Sequence, residues 1–130
     1  MRIPLVISAF ALSLAACTTT SAQTENRVAD GASITLAPGQ SATLADNSRI
    51  DYIKLDGDSR CRPDVQCVWA GDATIAMRWT PAAGGMVAQD FVLHTNLDPK
   101  SFDANGRTIT LTALERGDAP KATLQVDAAH

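Results

Sequence analysis

From about position 32 onward, apolar residues alternate with polar ones at a period of two, and no segment after residue 26 carries a helical stripe. That period sends successive side chains to opposite faces of an extended strand. The chain therefore predicts sheets with one face buried and one in water. The clearest run is Val68 to Thr80. Trp69, Ala73, Ile75, Met77 and Trp79 fall on one face, with Gly71 between them, and Asp72, Thr74, Ala76 and Arg78 on the other.

Turn chemistry divides the remainder. Pro38-Gly39 suits the centre of a type II turn, since proline fixes φ and glycine accepts a positive one. Residues 32–37 and 40–45 are accordingly expected to form a hairpin. Asp46-Asn47-Ser48 marks the next turn, and Arg49 to Leu55 reads as a β-branched and aromatic strand. Pro81 and Gly84-Gly85 end the long run. Val87, Gln89, Phe91 and Leu93 then alternate with Ala88, Asp90, Val92 and His94. Residues 95–100 read as a loop, Asn105-Gly106 as a tight turn, and Thr108–Thr112 and Ala122–Val126 as strands. About seven short strands predict an all-β fold, an antiparallel β-sandwich or small barrel, over residues 31–127. A chain of 130 residues holds one such domain.

The first residues follow a different rule. Arg2 precedes an apolar stretch of roughly a dozen residues that ends in small ones, the order of a secretory signal and too short to span a bilayer as a helix. The stretch closes on Leu14-Ala15-Ala16-Cys17, which resembles the lipobox of bacterial lipoproteins. The resemblance implies a signal peptide over 1–16, cleavage before Cys17, diacylation of its thiol and acylation of the new amino terminus. Thr18, where an aspartate would favour inner-membrane retention, implies the outer membrane. Thr18 to Asn26 is polar and aperiodic, so residues 17–30 read as the lipidated cysteine and a flexible tether. Roughly ten such residues reach about 15–20 Å.

With Cys17 assigned to lipid, Cys61 and Cys67 remain as an even pair in an exported chain, and a disulfide is expected. The surrounding Asp58-Ser59-Arg60-Cys61-Arg62-Pro63-Asp64-Val65-Gln66-Cys67-Val68-Trp69-Ala70-Gly71 is similar to a D-S-R-C-x-P-x-x-x-C-x-W-x-G segment of small bacterial secreted proteins and lipoproteins. In those proteins the proline directly follows the first cysteine, whereas here Arg62 intervenes. The resemblance implies a shared fold and no activity. Read from the residues alone, Trp69 lies on the side of Cys67 and is placed to cover the disulfide. Gly71 leaves space beside the indole or allows a bulge. Arg60 and Arg62 meet Asp56, Asp58, Asp64 and Asp72. One reading is a structural corner. The other is a rigid charged loop, with Arg60, Arg62 and Asp64 presented to a partner at a low ordering cost.

Other chemistry finds little footing. A net charge of −3 without a Lys/Arg run argues against a nucleic-acid partner. His94 reads as a solvent-facing strand histidine. Ser59 and Ser101 lack a G-x-S-x-G context, so no catalytic residue is assigned. Asp56-Gly57-Asp58 is too short for a calcium loop, C-x5-C with Asp58 and Asp64 is incomplete for zinc, and Met77 belongs to an apolar face rather than to copper. No metal and no cofactor is implied. The expectation is a non-enzymatic, lipid-anchored module of the cell envelope. Its partners are the membrane, through its N-terminal lipid, and an envelope protein or small ligand. The alternative is an envelope protease inhibitor working through the Cys61–Cys67 loop.

Overall fold

The computed structural model describes residues 26–84 and 86–128. Cys17 and the signal lie outside them. The described chain is all-β, with eight strands: β1 (Ser33–Leu36), β2 (Ser41–Thr43), β3 (Arg49–Asp58), β4 (Ala73–Thr80), β5 (Gln89–His94), β6 (Ser101–Ala104), β7 (Arg107–Leu114) and β8 (Ala122–Asp127). They form two four-stranded antiparallel sheets, ordered β1-β8-β7-β6 and β2-β3-β4-β5, packed as a sandwich rather than closed as a barrel. The strand beyond the expected seven is β6, which pairs with β7 through the Asn105-Gly106 turn. Both turn residues have positive φ (54° and 89°), as a two-residue hairpin turn demands.

The period-two pattern becomes the core. Ala73, Ile75, Met77 and Trp79 of β4 all point inward and are fully buried, as are Ile50, Tyr52, Leu93, Ile109, Leu124 and Val126. Each large aliphatic among them contributes about 1.5–3 kcal/mol by leaving water. The Trp79 indole N–H is buried without a hydrogen-bond partner among the described residues. Polar and aromatic contacts also tie the sheets together. The Tyr52 hydroxyl of β3 donates to the Pro120 carbonyl at 3.0 Å. Phe91 of β5 stacks on Phe102 of β6, with ring centroids 3.9 Å apart, where the two sheets meet at their edge strands.

Three expectations are corrected here. Ala37-Pro38-Gly39-Gln40 does make the anticipated turn, with Gln40 N–H donating to Ala37 C=O at 3.0 Å and Gly39 at φ 87°. Its flanks do not pair with each other, however. β1 pairs with β8 and β2 with β3, so the turn carries the chain from one sheet to the other. Next, the long strand begins at Ala73 rather than Val68. Trp69 belongs to the loop before it and is 58% exposed instead of buried. Last, Asp72, assigned to the wet face, is one of only two polar residues buried among those described.

Packing also begins earlier than position 31. Thr43 N–H donates to Asn26 C=O and Val28 N–H to Thr43 C=O, and the Val28 side chain enters the core. Asp30 pairs with Arg107, which also reaches Asp46. Residues 26–30, read as tether, are therefore held against the sandwich.

Candidate functional site

Residues 59–72 leave the end of β3 and return to β4 as a corner closed by the Cys61–Cys67 disulfide, whose Cα atoms are 5.9 Å apart. The β3–β4 pairing continues into its neck. Ser59 N–H donates to Asp72 C=O at 2.7 Å, and Cys61 N–H to Ala70 C=O at 2.8 Å. Gly71 makes this approach possible. Its φ is +73°, and a Cβ there would sit 1.9 Å from the Ser59 carbonyl oxygen. The expectation of space at Gly71 is met by a crossing backbone rather than by the indole.

Arg60 joins the corner to the opposite sheet. Its Nε and Nη2 donate to the Asp58 carboxylate at 2.9 and 2.7 Å. Its Nη1 and Nη2 donate to the Leu114 and Glu115 carbonyls, each at 2.7 Å. Arg116 answers from the other side, donating to the Cys61 carbonyl at 2.8 Å. The hydrogen bond from Arg60 holds the Asp58 carboxyl below its usual range. The Arg60 side chain is only 10% exposed, so of the three residues expected to face a partner it faces inward. Arg62 and Asp64 lie on the surface.

Asp72 forms a second junction at the same end. One carboxylate oxygen accepts from the backbone N–H groups of Asn96 and Leu97 at 2.9 and 3.2 Å. The other lies 2.6 Å from His94 Nδ1. Burial alone would push this carboxyl up. The hydrogen bonds from His94, Asn96 and Leu97 outweigh burial and hold it far below the usual carboxylate range. His94 is thus partly buried and oriented by a carboxylate rather than facing solvent alone. A histidine fixed in this way is half of a general-base arrangement. The hydroxyl that reaches the ring is Thr74 Oγ1, at Nδ1, which is the nitrogen already facing Asp72. The Ser59 hydroxyl is engaged with the Asp72 backbone. Among the described residues, no three His, Cys, Asp or Glu side chains gather as a metal ion would require.

The corner so anchored displays apolar side chains. Val68 is fully exposed, Trp69 is 58% exposed, and Val65 is exposed beside them. Two hollows flank the anchor, each of about 410 Å³. One runs between Arg60, Ala70, Asn96, Thr112 and Arg116. The other lies between Arg62, Pro63, Asp64, Arg116 and Asp118.

Sequence reasoning singled out this segment and its disulfide but not the Asp72–His94 pair. The two residues are far apart in the chain. Their only sequence signal is that both lie where neighbouring runs of alternation meet, and the strand register, with Thr74 opposite His94, brings them together. No protein-family model, curated protein or solved structure matches the chain, so its site is read from this geometry.

Proposed function

We propose that this chain is a non-enzymatic binding module of the bacterial cell envelope. It is exported under residues 1–16 and anchored through lipid on Cys17. It engages an envelope protein through the disulfide corner. The observation that carries the reading is a contrast within one loop. Residues 59–72 are held by a disulfide, two arginine clamps and a continuing backbone ladder, yet the same loop leaves Val68 and Trp69 in water. Holding an apolar surface rigid in solvent costs solubility and brings no folding benefit, which marks it as an interaction surface. Tryptophan is also among the side chains that most often anchor protein interfaces. Pre-ordering lowers the entropy lost on binding.

The inhibitor reading shares this loop and is favoured by one feature, the exposed Arg62 and Asp64 between the two bonded cysteines. The two readings separate by residue. A photoreactive side chain at Val68 in the full-length protein should give one discrete cross-linked adduct in cells, and Trp69→Ala should remove it without lowering Tm. If position 68 yields no more adduct than Thr108 on the far sheet, the binding corner is refuted. Loss on Arg62→Ala with Trp69→Ala unaffected would point to the inhibitor loop. The intact mass of the membrane-extracted protein tests the anchor: an unmodified Cys17 thiol in the mature chain refutes it.

A further inference from the structure

The two ends of the sandwich differ. At the end opposite the disulfide corner, Thr80 of β4 lies beside Arg49 of β3, which lies beside Thr43 of β2, to which Asn26 and Val28 are bonded. Asn26, the first described residue, therefore sits at this end. The β4–β5 connection projects from the same place. Pro81, Ala82, Ala83, Gly84 and Met86 share a hollow of about 290 Å³ with Asp46 and Asn105, residues of the β2–β3 and β6–β7 turns.

That connection is apolar. Between Arg78 and Asp90 the sequence carries eleven residues with no charged side chain. Val87 is 80% exposed and Met86 45%. Most of the charged residues around it are paired within the protein, while Arg27 donates to the Asn47 side chain of the β2–β3 turn and is placed to meet an anionic headgroup. Arg78 meets Asp90, Arg49 meets Asp51, and Arg107 meets Asp30 and Asp46. Placing this end against lipid would strand no lone charge among these pairs.

We propose that the β4–β5 connection, through Met86 and Val87, rests in the interface of the membrane that holds the lipid anchor. The inference rests on acylation of Cys17. Asn26 is tied to this end of the sandwich, and the nine residue steps from Cys17 to Asn26 can span at most about 30 Å. The acyl chains hold the body within that distance of the bilayer, and the apolar connection is on the side they tether. Two weak apolar contacts then suffice, because the tether makes the second encounter intramolecular. The opposite end, with Val68 and Trp69, is directed away from the bilayer, separated by the length of β4, about 23 Å.

The test uses the full-length lipidated protein in vesicles of phosphatidylethanolamine and phosphatidylglycerol. A polarity-sensitive fluorophore is placed at Val87→Cys or, as a control, at Val68→Cys. Intact mass first establishes acylation of Cys17. With acylation present, lipid carrying spin labels in its headgroup region should quench the label at 87 several-fold more than the label at 68. In the Met86→Asp, Val87→Asp background a label at Ala83→Cys should lose that quenching while the protein stays on the vesicles and keeps its circular dichroism. Equal, weak quenching at 87 and 68 on an acylated protein overturns the inference and leaves the anchor standing. A label at 87 shielded from water but unquenched by lipid means a second copy covers the connection, which also overturns it. An unmodified Cys17, with protein that washes off the vesicles, removes both.

Discussion

A single methyl group separates glycine from alanine at position 71, and the corner depends on its absence. With φ at +73° and the Ser59 carbonyl oxygen 1.9 Å from any Cβ, Gly71→Ala must pull the neck of the loop apart. The left-handed conformation alone costs a non-glycine residue about 1–2 kcal/mol, and the clash adds to that. Urea unfolding of Gly71→Ala should show a loss larger than this, and a wild-type midpoint would contradict the crossing. Asp72 sets a pH dependence. Its folded-state carboxyl lies below its unfolded value, so it contributes stability above about pH 4, where an aspartate in the unfolded chain titrates. That contribution is lost as the pH falls and the unfolded chain takes up the proton first. Asp58, held low by Arg60, acts in the same direction. Tm measured from pH 7 to pH 3 should therefore fall less steeply in Asp72→Asn, from a lower starting point at neutral pH. Parallel curves would show that Asp72 is not a source of the acid sensitivity. Arg60 is the third residue of consequence. Arg60→Lys keeps the charge but not the planar fork that reaches Asp58, Leu114 and Glu115 together. It should therefore destabilise nearly as much as Arg60→Ala, and full rescue by lysine would show that charge alone matters there.

At the scale of elements, the disulfide closes a short loop. The chain-entropy relation gives it about 2–2.5 kcal/mol. Replacing Cys61 and Cys67 together by serine should lower the unfolding free energy by that order, while far-ultraviolet circular dichroism keeps its β form. A larger collapse would mean that the corner nucleates the sandwich. The strands themselves were largely legible in the sequence, since alternation in β4 and β7 reports directly which side chains leave water. What alternation does not carry is the partner. Ile34 and Leu36 alternate equally well against β2 or β8, and the type II turn at Pro38-Gly39 was read correctly while its outcome was not. Nor does alternation mark where a strand stops. The pattern runs unbroken from Trp69 into Ala73, although backbone crossing at Gly71 and capture of Asp72 by the loop after β5 end the strand between them. β3 shows the converse. Register shifts between Tyr52 and Lys54 and between Leu55 and Gly57 change the phase, so that Leu55 rather than Lys54 packs against the core and the simple period of two breaks there. β6 escaped notice because four residues hold too few alternations to stand out from a loop.

For the molecule as a whole, the corner's surface is separable from its scaffold. Val68 and Trp69 lie outside the core, so Val68→Ser with Trp69→Ala should leave the unfolding free energy within about 0.5 kcal/mol of wild type. A substantial loss would place the indole among the structural contacts and remove the argument for an interaction surface. An all-β fold, sandwich or small barrel, was foreseeable from alternation and turn spacing, and the strand pairing decides for two open sheets. The polarity of the sandwich, with Asn26 and Val28 held at one end and the corner at the other, was not, because it follows from strand register rather than from any local motif.

The last strand runs back towards the entry point of the chain: the Val126 backbone bonds Gly31 and Ala32, and Asp127 stands opposite Thr108 at the beginning of β7. A sensor chip or affinity bead coupled beyond β8 would thus grip the protein at the end opposite the disulfide corner. Captured in that way, every copy would offer the same tryptophan to the flowing solution.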